Sequence, residues 1–411
     1  MTSGGPSPGA AGDFAPRASP RGRAVPGDRD ATRTVLARLL ATPSPQPDLA
    51  QVRAFVADTV RPLLSAAFDD VRIGAGGNLI ARRRARPARD LLLLLGYAGT
   101  YPAEGMAEAF SGASRFVAGR EYLVGRGASE QMGALAALLL AANALAEDEA
   151  AQGATEGELV FAVSCAGETG SHEHIRYLVE DDGVRPSAAV LGLGTDNRVC
   201  LGNKGRVDVE IEVRGRACHS SLPAQGLNAI VGAQAVLARL AALDTGPADP
   251  DLGAATLTPT AVESWPKASH TVPDRVRLVL DRRLLPGQEP DEAVAAIRAA
   301  LDGLAPYTIA VRGGAYQYAC KLAPDAALAR LAVGALRAAG ARGETFYLPA
   351  ALDGGYLRRS GAEALMLGPG DPAQAHTADE QVALDDVVLA AEAYYRLGEA
   401  YLGRAAGGER A

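Results

Sequence analysis

Residues 91–95 are five consecutive leucines, closed by Gly96. Five residues is strand length, and a strand without polar alternation needs cover on both faces, as in a parallel sheet flanked by helices. An Ala- and Leu-rich helical stretch follows over about 130–146, and apolar runs of strand length lie at 159–163 and 188–193. This strand–helix alternation predicts an α/β domain built on a mostly parallel sheet. Such sheets bind ligands beyond the carboxyl ends of their strands. Residues 96–99, 164–168 and 192–196 fall at those ends.

The rhythm changes after Lys204-Gly205. Val207, Val209, Ile211 and Val213 alternate with polar residues, the period of a half-buried strand over 206–213. A helix is expected over 228–243, strands over 256–263 and 275–283, a helix over 289–301 and a strand over 308–311. That βαββαβ order is a ferredoxin-like α+β unit. It interrupts the first domain, which resumes near Gly314 with a strand at 365–367 and a closing helix over 382–402. The expected organisation is a disordered tail at 1–30, a discontinuous catalytic-type α/β domain at 31–205 plus 314–405, and the inserted unit at 206–313. The tail is rich in Gly, Pro, Ala and Arg and has no periodicity. The α/β domain opens with helical apolar spacing over 31–65.

Charge and cysteine usage narrow the partners. The chain has 411 residues, with 41 Lys+Arg against 48 Asp+Glu and a net charge of −7, which argues against nucleic acid. Residues 1–30 contain no apolar run of the signal-peptide kind. The longest purely apolar stretches are too short to span a membrane. Cys165, Cys200, Cys218 and Cys320 lack metal-type spacing and are expected to stay reduced, as in a cytoplasmic protein. A small-molecule substrate is the expected partner.

Five segments carry candidate chemistry. They are Gly96-Tyr97-Ala98-Gly99-Thr100, Gly125-Arg126-Gly127-Ala128-Ser129-Glu130, Cys165-Ala166-Gly167-Glu168, Gly192-Leu193-Gly194-Thr195, and Gly368-Pro369-Gly370 followed by His376 and Glu380. In that order, over about 35–403, and with the insertion in place, they resemble the aminoacylase, acetylornithine deacetylase and carboxypeptidase G family of metallopeptidases (peptidase family M-twenty). The resemblance implies a di-zinc exopeptidase-like catalytic domain, with the inserted unit as lid and dimerisation domain of a homodimer. In that family the first segment brings a His for metal one and an orienting Asp, and the second brings a bridging Asp. The third brings a Glu pair: one is the general base, the other a ligand of metal two. The fourth completes metal one, and a C-terminal His completes metal two.

This chain departs unevenly from that pattern. Tyr97 stands for the metal-one His, Gly99 for the orienting Asp, Gly167 for the general base and Leu193 for the last metal-one ligand. The metal-two set survives as Glu168, His376 and the longer Glu130. Two carboxylates and an imidazole form an acceptable ligand set for one ion with an open position. The expected cofactor is therefore at most one divalent ion (zinc, manganese or cobalt) per chain, or none. The alternative is that the three make hydrogen bonds and salt bridges in a cleft. Glu168, if not a ligand, or Glu130 could take the proton that Gly167 cannot. Tyr97 could donate a proton, stabilise an oxyanion, or only fill space.

Gly215-Arg216-Ala217-Cys218-His219-Ser220-Ser221-Leu222-Pro223 keeps the family's lid motif. The resemblance makes His219 an oxyanion-stabilising residue that reaches the partner subunit's site. It makes Asn228, His270 and Arg283 substrate-binding candidates. Asn228 could equally cap a helix, and Arg283 could be paired with Asp281. His172 and His174 are two apart, face different sides of a helix, and read as surface residues. Cys165 and Cys218 read as structural.

The functional expectation is an amide hydrolase of the aminoacylase or deacylase type, acting on a small N-acylated or N-carbamoylated amino acid or dipeptide through an altered site. The alternatives are a metal-independent enzyme of another class on the same fold (cyclase, isomerase or lyase) and a non-catalytic family member.

Overall fold

The computed structural model describes residues 27–84, 90–152, 157–167 and 169–403. Residues 1–26 of the expected tail, residues 404–405 of the expected domain boundary, and Glu168 lie outside the described residues. Structure begins earlier than the sequence suggested. Arg29 and Asp30, read as tail, form the first turn of the helix Arg29–Leu40. The Asp28 carboxylate caps it, accepting the N–H groups of Asp30 and Ala31.

The five leucines lie in the strand Asp90–Tyr97, inside a nine-stranded sheet. Its order is Asp70–Ile73, Leu79–Arg83, Gly157–Ser164, Asp90–Tyr97, Ala188–Gly192, Glu363–Leu367, Val199–Asn203 and Cys320–Lys321, with Thr345–Leu348 also pairing with Val199–Asn203. Asp90–Tyr97 is parallel to both of its neighbours. Leu92 and Leu94 join one core cluster, while Leu93 and Leu95 join the cluster on the other face. All four are fully buried, each contributing roughly 1.5–3 kcal/mol of transfer free energy.

The helices Gly133–Gln152 and Leu384–Leu402 cover the first face. The helical stretch Ala128–Ala151 is long and apolar enough to cross a membrane. Here 78% of its most apolar window is buried inside the fold. Helical spacing over 31–65 does not yield one helix. The chain breaks after Leu40, passes a cis Gln46–Pro47 peptide, and resumes at Leu49–Ala54 and a π-helical turn Phe55–Val60.

The chain leaves the large sheet after Val199–Asn203 and returns at Cys320–Lys321, which pairs with the strand it left. Between them lies a four-stranded antiparallel sheet ordered Thr256–Trp265, Arg275–Leu284, Gly205–Arg214, Thr308–Gln317. Its strands bury alternate residues against the helices Ala229–Ala241 and Pro290–Ala300. Exit and return through adjacent strands bring the two ends of this unit together beside the large sheet.

Candidate active site

Three neighbouring parallel strands end side by side. Tyr97 closes one, Ser164 lies opposite it in register and leads into Gly167, and Leu193 follows Ala188–Gly192. A cleft of about 270 Å³ opens beyond these ends. Tyr97, Glu130, Leu193 and His376 line it from the large domain, and Arg206 and Arg283 line it from the inserted unit.

Glu130 lies in the π-helical turn Ala128–Met132, just ahead of the long core helix. The buried Glu380 carboxylate holds that turn, accepting the N–H groups of Gly127 (2.8 Å), Ser129 (3.1 Å) and Glu130 (3.1 Å). Arg126, equally buried, pairs with Glu380 at 3.2 Å and donates to the Thr377 carbonyl. Burial pushes the Glu380 carboxyl up, opposed by the Gly127 and Glu130 N–H groups and by Arg126. This knot fixes the 376–380 loop against the helix start. His376 takes a left-handed backbone there (φ 65°) and stacks on Tyr101 at 4.0 Å.

As a result, His376 Nε2 lies 3.3 Å from Glu130 Oε2. Two ligands of one tetrahedral zinc, each bound at about 2.0–2.1 Å, also lie about 3.3 Å apart. Glu130 Oε2 is buried and accepts no hydrogen bond among the described residues. The two donors therefore fit one edge of a single metal site. Among the described residues no three His, Cys, Asp or Glu side chains group around a metal position. The third predicted ligand, Glu168, is not among those residues.

Tyr97 and Leu193, which the family resemblance sets at metal-one positions, have other partners. The Tyr97 hydroxyl donates to Asp353 Oδ2 at 3.1 Å. Asp353 Oδ1 lies 2.8 Å from His172 Nδ1, and His172 Nε2 accepts the Tyr318 N–H at 2.7 Å. That last bond leaves Nε2 without a hydrogen, so the ring hydrogen sits on Nδ1 and points at Asp353. Tyr97, Asp353 and His172 are each 4% exposed. Burial, then the Asp353 charge, raises the Tyr97 phenol well above its usual range, so it stays neutral. Leu193 packs against the same apolar cluster as Tyr97.

The two glycines in family carboxylate positions are pressed together. A Cβ on Gly167 would lie 2.0 Å from the Gly99 carbonyl oxygen, and one on Gly99 would lie 2.7 Å from the Gln46 side chain. The backbone itself thus excludes a side chain at the general-base position. Gly167→Glu is expected to lower stability by about 1–3 kcal/mol, the usual cost of overpacking, and to create no zinc-dependent hydrolysis of N-acyl amino acids. A combined Tyr97→His, Gly99→Asp, Gly167→Glu, Leu193→Glu variant serves as comparison. Robust zinc-dependent turnover by the single variant would show that the backbone accepts the base.

Among the remaining candidates, Arg283 does line the cleft, with its Nε and one terminal nitrogen on Asp281 at 2.7 and 3.1 Å. Arg206, its cross-strand partner, shares Asp281 and adds Asp208. Asn228 caps the helix Ala229–Ala241 through the Ile230 N–H. His219 and His270 lie with ring centroids 6.1 Å apart, but neither lines this chain's cleft. His172 and His174, expected at the surface, are both buried. His174, in the helix Glu173–Arg176, packs under the Gly74–Asn78 loop, where Asn78 donates to its carbonyl, and His172, just ahead of that helix, packs against Tyr318 and Tyr356. Burial pushes the His174 imidazole down and the Cys165 thiol up to about 11, which removes Cys165 as a thiolate nucleophile. Asp353, Arg206 and the role of His172 were not legible in the sequence. No local motif marks Asp353, and His172 meets it across 181 residues of chain.

The fold is that of the M20 metallopeptidases. An M20 family metallo-carboxypeptidase from Sulfolobus solfataricus superimposes with a TM-score of 0.73, at 16% identity, over 90% of this chain and 99% of that one. Residues 201–308 match the M20 peptidase dimerisation domain. The chain is also a homologue of the acetylornithine deacetylase of Myxococcus xanthus, 30% identical over 51% of this chain and 57% of that protein. It is 30% identical to the Escherichia coli (strain K12) protein YgeY over 44% of each. The alignments thus span about half the length of the curated relatives.

Proposed function

We propose that this chain is an amide hydrolase of the aminoacylase or deacylase type, acting on a small N-acylated or N-carbamoylated amino acid or a dipeptide, with at most one divalent metal ion per chain. The observation that carries this reading is the Glu130–His376 pair, 3.3 Å apart in the lining of an inter-domain cleft. Zinc, manganese or cobalt bound there would polarise an amide carbonyl and acidify a bound water. Glu130 and His376 would hold such an ion, and Glu168 would either join them or serve as the base for a water. Arg206 and Arg283, which line the cleft while paired with Asp208 and Asp281, would orient an anionic substrate group, for which the guanidinium fork is suited. The kinship with a deacetylase favours amide hydrolysis over the other classes. The test is a turnover screen over N-acetyl and N-carbamoyl amino acids and dipeptides, with and without chelator. Chelator-sensitive turnover supports the reading, and no turnover by metal-replete protein would sink it.

We also propose that the chain works as a homodimer joined through the inserted unit, with His219 completing the partner's cleft. The match to a dimerisation domain supports this, as does the exposure of Ile230 and Val231 on one helix and Val262 on the edge strand Thr256–Trp265. Mixing inactive His219→Ala chains with inactive Glu130→Gln chains is expected to restore part of the activity, because each heterodimer keeps one complete site. Verified heterodimers that stay inactive would count against the shared site.

A further inference from the structure

The cleft that Arg206 and Arg283 line also holds a buried carboxylate which, among the described residues, has no lysine or arginine ion-paired with it. Asp353 is 4% exposed and lines the cleft. Its two described side-chain partners, the Tyr97 hydroxyl and His172 Nδ1, are both neutral donors. His172 cannot supply the charge while its Nε2 accepts the Tyr318 N–H. Among the described residues no lysine or arginine is ion-paired with Asp353, its only such contact being His172. A carboxylate in this state is costly to bury and gains strongly from a cation. Each of its oxygens keeps a second lone pair. The Tyr97 oxygen, with its hydrogen committed to Asp353, offers the cleft only acceptor lone pairs. Arg206 and Arg283 line the same cleft, and a guanidinium can only donate.

We infer that Asp353, together with the Tyr97 oxygen, is the binding site for the protonated amino group of the substrate, and that His172 is the residue positioning Asp353. This rests on the reading of the cleft as the substrate site and narrows its substrate class. The preferred ligand is dipolar, an ammonium at Asp353 and a carboxylate at the arginines, as in a dipeptide with a free amino terminus. An N-acylated amino acid leaves the buried carboxylate uncompensated.

The test is calorimetric titration of EDTA-treated protein, in which no metal-dependent turnover intrudes, with L-alanyl-L-alanine and with N-acetyl-L-alanyl-L-alanine. The free dipeptide is expected to bind about tenfold more tightly or better, because a site built around a polar group discriminates against ligands lacking it. Asp353→Asn is expected to abolish that preference, chiefly by weakening binding of the free dipeptide. Tyr97→Phe is expected to reduce the preference in part, and it keeps the buried charge if Asp353→Asn fails to fold. Equal affinities in the unaltered protein, no binding of either peptide, or a preference that survives Asp353→Asn would each overturn the inference. So would zinc binding that depends on Asp353, which would make it a metal ligand. Turnover is then scored separately with zinc restored. Selective dipeptide binding without hydrolysis sinks the hydrolase reading alone. Hydrolysis of acetylated substrates with equal binding sinks this inference alone.

Discussion

Glu380→Ala is expected to cost about 3–5 kcal/mol of unfolding free energy, the range for removing one partner of a buried ion pair. Both Glu380 and Arg126 have fully buried side chains. The substitution strands the Arg126 guanidinium and frees three backbone N–H groups, of Gly127, Ser129 and Glu130, in the interior. Each loss adds a desolvation cost. Glu380→Gln keeps an acceptor for some of those groups and is expected to lose less. Denaturant unfolding followed by circular dichroism measures both, and an unchanged midpoint for Glu380→Ala would refute the structural role. The same substitution loosens the turn that carries Glu130 and the loop that carries His376, so zinc affinity is expected to fall with it.

The second large effect concerns the metal itself. Glu130→Gln and His376→Ala are each expected to weaken zinc binding about a hundredfold or more, since even partners behind the ligands are worth about ten- to a hundredfold. Tyr97→Phe and Leu193→Ala are expected to leave zinc affinity unchanged. Tyr97 is committed to Asp353, and Leu193 sits in an apolar cluster. Competition against a fluorescent zinc chelator measures all four. Equal losses at Tyr97 and Glu130 would mean that the two halves of the cleft share a metal.

The parts of this fold that could be read from the sequence are those with a strong period. The five leucines announced a strand buried on both faces, and the alternation of Val207, Val209, Ile211 and Val213 announced the first strand of the inserted sheet. The strands Asp70–Ile73, Leu79–Arg83 and Thr345–Leu348 were invisible because they are short and carry mixed polar residues; the first two pair with each other, and the sheet reaches them and Thr345–Leu348 only through neighbours distant in sequence. Helical spacing over 31–65 overran because periodicity does not record breaks such as the one around Gln46–Pro47. Within the site, motif order located Tyr97, Glu130 and His376, and the cleft brings these together. It did not locate Asp353 or the buried partnership of His172, which depend on tertiary contact alone. Periodicity gave His172 and His174 a surface position because it ranks faces of a helix and does not see the tyrosines packed on His172 or the loop packed on His174. The reason for Gly167 also lay outside the sequence: the Gly99 carbonyl takes the space of its missing side chain.

The central proposal, at most one metal ion held at Glu130 and His376, is tested most directly by zinc stoichiometry. Purified protein stripped with chelator, titrated with zinc and analysed for metal content is predicted to hold at most one tightly bound equivalent per chain, and that equivalent is predicted to disappear in His376→Ala. Two tightly bound equivalents per chain would contradict it.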